Sequence, residues 1–152
     1  MNITLPQNTV FYQLEKAIKT YRKLAQDRIN ASGHDVSVNQ LILLINLSEH
    51  PNATQAELSE YIFKDFASVA RMVDILVKKN YLERRENTVD RRKKDLRPTV
   101  IGERMIKELR PIIKEYRQTA LFGFTNENLD EISRLLRDFI TNCEKGLATT
   151  KK

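Results

Sequence analysis

Cysteine, glycine, histidine and long apolar runs are all scarce in this chain, and each scarcity removes a class of function. One cysteine in 152 residues cannot build an internal disulfide framework. The four glycines, Gly33, Gly102, Gly123 and Gly146, stand too far apart to form a phosphate-cradling loop. His34 falls in an expected loop and His50 at an expected helix end, where a surface or capping role is the ordinary one. Neither makes a zinc-ligand spacing with Cys143, so no metal, no cofactor and no enzymatic activity are expected. The longest apolar run, Leu41 to Ile45, is far short of the roughly 20 residues that span a bilayer. The opening residues, Met1 to Pro6, lack the basic stretch and apolar core of a secretory signal. A cytoplasmic protein without a membrane partner is expected.

What is present is a packable core and an uneven charge. The chain is 41% hydrophobic and 30% charged, with a net charge of +6. Residues 1–63 carry five basic and six acidic side chains, residues 64–97 eleven and six, and residues 98–152 ten and eight. The excess therefore sits in the middle segment. A localised basic patch is the footprint of a polyanion-binding surface, although a solvated face with a chance excess has the same composition.

Apolar spacing supplies the order of elements. Phe11, Leu14, Ile18, Tyr21, Ala25 and Ile29 recur at three and four residues, one stripe on a long first helix closed by Gly33. Ser37 to Gln40 is a capping-box pattern opening a second helix, which is apolar nearly all round and should be central. It should stop at His50-Pro51. Thr54 to Glu57 is a second capping box for a short third helix reaching about Tyr61. Asp65 caps a fourth, running to Lys79, with Val69, Met72, Val73 and Leu76 inward and Asn80 closing it left-handed. Tyr81 to Glu86 and Lys93 to Pro98 alternate around the turn residues Asn87 to Asp90, which reads as a β-hairpin. Thr99 caps a fifth helix with Ile101, Met105, Leu109, Ile112 and Tyr116 on one face and a kink expected at Pro111. After Gly123, Thr125 caps a sixth, whose Leu129, Ile132, Leu136, Phe139, Cys143 and Leu147 form a helix-packing seam. A buried, inert thiol is expected at Cys143.

The short turn at about Ile62 to Lys64 makes the third and fourth helices a helix-turn-helix. In that motif the second helix enters the major groove, N-terminal residues first. The face of the fourth helix opposite its core stripe carries Ala67, Arg71 and Lys78, with Ser68 and Asp74 at its edges. Small residues permit close approach, and Arg71 has the fork that suits guanine or phosphate. An ordinary exposed face would look the same in isolation. The hairpin adds Arg91, Arg92, Lys93 and Lys94 in a row, a cluster that repels itself unless a polyanion neutralises it. Such a loop can lay an arginine in a minor groove, and Asp90 is spaced to orient Arg92 through a bidentate pair.

Asp90-Arg91-Arg92, then Leu96, Thr99 and Gly102, closely resembles the wing signature of the MarR (multiple antibiotic resistance regulator) family. Ser68-Val69, Arg71 to Val73 and Leu76 to Lys79 look like that family's recognition helix. The resemblance implies one MarR-like domain over residues 1–152, mostly α with a small β-hairpin wing. Within it a winged helix-turn-helix lobe at 36–98 is flanked by dimerisation helices at 8–33 and 99–148. It implies a homodimer binding double-stranded DNA, with Ser68 and Arg71 at bases or phosphates, Thr54 and Gln55 on the backbone and Arg92 in the minor groove. Three positions depart from the pattern: Pro98 for leucine, Asn80 for glycine, and a bulky Phe66, expected in the core rather than at a contact. The family's metal-sensing histidine cluster and first-helix cysteine are missing here. A small anionic aromatic effector is the remaining candidate ligand, with Tyr12, Tyr21, Arg22 and His34 as the residues to line its cleft.

The function expected is a sequence-specific transcription regulator, a ligand-responsive repressor on a palindromic operator. The alternative is a non-specific architectural DNA-binding protein or a winged-helix protein-interaction module.

Overall fold

The computed structural model describes residues 6–90 and 94–149. After a single 3-10 turn at Pro6–Asn8 come α1 (Val10–Ala31), α2 (Val38–Glu49), α3 (Gln55–Ile62) and α4 (Phe66–Lys78). The hairpin β1 (Leu82–Glu86) and β2 (Lys94–Pro98) follows, then α5 (Val100–Ala120) and α6 (Asn126–Thr149). The mostly helical fold with a small antiparallel hairpin is the one the spacing predicts. Two compact units are present, Met1–Arg117 and Gln118–Lys152.

In the first unit the expected caps close the helices. Gln40 N–H donates to Ser37 Oγ at 3.2 Å and Ser37 N–H to Gln40 Oε1 at 3.0 Å, a complete capping box. The helix it opens is the centre of the core: Leu41, Leu43, Leu44 and Leu47 are buried on more than one face. Leu58, Ile62, Val69, Val73 and Leu76 from the helix-turn-helix pack onto it, with Met105, Ile106 and Leu109 from α5. Only Ala25 and Ile29 of the α1 stripe are buried; Phe11 and Ile18 are exposed. Ile101, expected inward, is also exposed, because Gly102 and Met105 take the face that meets the core.

Leu82 and Leu96 fasten the hairpin to the core, β1 lying against α4 and β2 against α2. Pro98 sits opposite Leu82 at the end of the ladder. It has no N–H to give, and the pairing is carried one residue on, where Thr99 N–H donates to Tyr81 O at 3.0 Å. Thr99 Oγ1 donates to Asn80 O at 2.6 Å and accepts from Gly102 N–H at 3.0 Å, so one hydroxyl ties the end of α4 to the start of α5. Gly102 makes this junction possible, since a Cβ there would lie 2.2 Å from Tyr81 O. α5 runs through Pro111 as one helix.

In the second unit Gly123 takes φ +84°. Thr125 and Asn128 cap α6 reciprocally, at 3.1 and 3.2 Å. None of the α6 residues is buried: Ile132, Leu135, Leu136, Phe139, Ile140 and Leu147 are all exposed. Cys143, expected to be buried on that seam, is exposed as well, on a helix none of whose residues is buried. Among the described residues no helix is long and apolar enough to cross a membrane.

Candidate nucleic-acid interface

The helix-turn-helix is held by two side-chain caps three turns of chain apart. Thr54 Oγ1 accepts from Glu57 N–H at 3.2 Å and donates to Glu57 Oε2 at 2.9 Å. Thr54 N–H also donates to Glu57 Oε2 at 2.7 Å, and this backbone bond first, the hydroxyl second, holds the Glu57 carboxyl below the usual carboxylate range. At the start of α4, Ser68 donates its hydroxyl to Asp65 Oδ2 at 2.6 Å and its N–H to Asp65 Oδ1 at 2.9 Å. The Ser68 hydroxyl, then its N–H, lowers the Asp65 carboxyl likewise. A carboxyl lowered in the folded chain stabilises it above the unfolded pKa, and the gain is lost as pH falls through the folded pKa. Both caps of the motif therefore weaken in acid.

Of the residues predicted to face DNA, Ala67, Arg71, Asp74 and Lys78 are exposed on α4, and Ser68 is half-buried with its hydroxyl engaged in the cap. Thr54 is exposed at the start of α3 and is likewise engaged in its own cap. Gln55 Nε2 donates to Phe66 O at 3.3 Å, a link between the two helices of the motif. Asp74 pairs with Arg84 of β1, so the exposed face of α4 is braced against the hairpin.

In the hairpin turn, Asn87 Oδ1 accepts from Val89 N–H at 2.9 Å and Asp90 N–H at 2.8 Å, while its Nδ2 donates to Asp95 Oδ1 at 2.9 Å. Asn87 is thus the organiser of the turn. Lys94 opens β2 and lies 3.4 Å from Glu86. Arg91, Arg92 and Lys93 lie outside the described residues, and with them the predicted pairing of Arg92 with Asp90.

Spacing did not find two residues at this surface. Phe66, expected in the core, is 61% exposed at the first turn of α4, because Leu58, Ile62 and Val69 already fill the space beneath. Phe63 is 86% exposed and adopts φ 55°, ψ 46°. It closes α3 in the left-handed region, with Lys64 N–H reaching back to Ser59 O at 3.0 Å. Glycine takes that conformation without cost, a bulky residue does not. Phe63→Gly is expected to raise stability by about 0.5–1 kcal/mol, net of glycine's larger unfolded-state entropy. Chemical denaturation checks this, and a lowered midpoint would mean that the aromatic ring packs.

The four residues predicted for an effector are each held by a different partner. Tyr21 meets Tyr116 edge-on at 5.8 Å between ring centres. Arg22 donates to Asn39 Oδ1 at 2.7 Å. His34 bridges Ser32 Oγ at 2.9 Å and Glu108 Oε2 at 3.0 Å. Tyr12 lies nine residues before Tyr21 on the same helix, about 13 Å along its axis, with Lys16 over its ring.

The chain is similar to known proteins over most of its length. It is 29% identical over 118 residues to the HTH-type transcriptional regulator YybA of Bacillus subtilis, covering 78% of this chain and 79% of that one. In fold it is similar to BpsR of Bordetella bronchiseptica, whose DNA binding is regulated by 6-hydroxynicotinic acid. That likeness has a TM-score of 0.80 at 20% identity, over 91% of this chain and 97% of that one. A mutant MarR from E. coli complexed with operator DNA matches with a TM-score of 0.80 at 18% identity, over 90% and 99% of the two chains. Residues 36–94 match the sequence model of the MarR family. That stretch contains α2, the helix-turn-helix and the hairpin turn, so it is over these elements that the chain is similar to the MarR family.

Proposed function

We propose that the chain is a transcription regulator that binds double-stranded DNA sequence-specifically, a repressor acting as a homodimer on a palindromic operator. The observation that carries this is α4. It is a capped helix with a buried stripe of Val69, Val73 and Leu76 and an opposite exposed face of Ala67, Arg71 and Lys78, braced by Asp74 and Arg84 against a hairpin whose turn sequence is basic. YybA's description as a transcriptional regulator, and the operator complex of E. coli MarR, support the same reading by similarity. The experiment is selection of duplexes from a random pool. A regulator enriches one palindromic sequence, an architectural protein enriches none while binding all, and a protein-interaction module binds none.

The homodimer rests on surface. The α6 seam and the first half of α1 leave Ile18, Ile132, Leu136 and Leu147 exposed, and apolar faces of this extent mark association. Pairing them about a two-fold axis would set two copies of α4 about one DNA turn apart, roughly 34 Å. Light scattering at micromolar concentration should give twice the 17.8 kDa chain mass; the mass of a single chain would refute the assembly.

The wing is proposed to work through charge. Arg92→Ala should weaken binding to matched and scrambled duplexes alike and make affinity less dependent on salt, since one phosphate-neutralising cation fewer releases fewer counterions. Unchanged affinity and salt slope would mean that the hairpin does not touch DNA. An anionic aromatic effector remains part of the proposal by similarity to BpsR, with Tyr12, Tyr21, Arg22 and His34 as its candidate contacts. Titration of such an acid against the protein–duplex complex tests it, and release of the duplex is the expected result.

A further inference from the structure

Phe66 has no task in the core, and its place gives it another. It is the first residue of α4, 61% exposed, three residues after Phe63, which is 86% exposed. Side chains on a helix tilt toward its N-terminus, so the ring of a first-turn residue projects past the helix end. That is the end a recognition helix presents to base edges. The surroundings suit a polyanion. Lys64, Arg71 and Lys78 are exposed along the same segment, while its two carboxylates have partners inside the chain, Asp65 in its cap and Asp74 with Arg84. Ala67, next to Phe66, is small enough to let the helix come close.

An aromatic ring delivered into a major groove finds one apolar group on the base-pair edges, the 5-methyl of thymine. We propose that Phe66 is a specificity-determining residue that reads a thymine methyl in each half-site, with Phe63 extending the apolar surface around it. The proposal deepens the reading of α4 as a recognition helix and rests on it. It also gives a physical return for Phe63, whose left-handed backbone costs stability that glycine would recover, because strained, exposed residues gather where a chain meets its ligand.

The test uses the full chain and the duplex it selects from a random pool. Thymines are replaced one position at a time, symmetrically in both half-sites, by uracil, which keeps the pairing and removes only the methyl. The wild-type protein should lose about 3- to 5-fold per half-site at one thymine position, the worth of one buried methyl. Phe66→Ala should bind the thymine and uracil duplexes equally, at about the wild-type affinity for the uracil duplex, with unchanged melting. A wild-type protein indifferent to every uracil overturns the proposal without needing any variant to fold. So does a Phe66→Ala protein that keeps its affinity and its uracil sensitivity, since the ring would then face something other than DNA. If no duplex is enriched at all, the regulator reading fails and this proposal with it; an enriched duplex with no methyl dependence removes this proposal alone.

Discussion

Gly102→Ala is expected to destabilise the chain by about 3 kcal/mol or more, lowering the melting temperature by on the order of 10 °C. The added Cβ would lie 2.2 Å from Tyr81 O, well inside the 3.0 Å that such atoms respect, and the obstacle is backbone rather than a flexible side chain. Relief requires α5 and the start of β1 to move apart. That movement breaks the Thr99 N–H bond to Tyr81 O and loosens the Thr99 hydroxyl from Asn80 O. Those bonds set where the hairpin leaves α4, so DNA affinity should fall even below the new melting temperature. A Gly102→Ala protein that melts like the wild type would mean that the junction is not the tight contact described here.

Arg71→Ala is expected to leave melting unchanged, because the side chain is exposed on α4, and to act on DNA alone. Losing a bidentate base contact costs about 1–3 kcal/mol per half-site. Over two half-sites the selected duplex should be bound roughly 30-fold to 10⁴-fold more weakly. A scrambled duplex should lose far less, so the ratio between the two contracts and base preference relaxes near the lost contact. An equal loss on both duplexes would make Arg71 a phosphate contact. An early melt would make it a structural residue.

The parts of this fold that can be read from sequence are those decided within a few residues. Ser37 with Gln40, Thr54 with Glu57, and Asp65 close their helices where the pattern puts them, and Asn80 takes its left-handed turn at φ 59°. Each needs only its own neighbours. The alternation of residues 82–86 and 94–98 around Asn87 is also local, and the hairpin forms there. Phe66, Ile101 and Cys143 are exposed where spacing predicts burial, because burial depends on which other elements arrive. At the N-terminal end of α4 the core is filled by Leu58, Ile62 and Val69, and no residue of α6 is buried. Phe63 shows a different gap. Glycine and asparagine announce a left-handed residue, whereas a phenylalanine gives no sign of one.

The site was legible as a face rather than as a set of contacts. Helical spacing places Arg71, Ala67 and Lys78 on one side of α4, and the structure exposes all three. The same spacing cannot tell that Ser68 and Thr54 would spend their hydroxyls on caps. Nor can it show that Asp74 would turn to Arg84 and brace the wing.

Sequence-specific recognition is tested most directly by the affinity of the wild-type chain for its selected duplex and for a scrambled duplex of equal length and composition, at physiological salt. A regulator reading base edges through two copies of α4 should favour the selected duplex by about 10³-fold or more. Equal affinity for the two would contradict it, and would leave a protein that holds DNA without reading it.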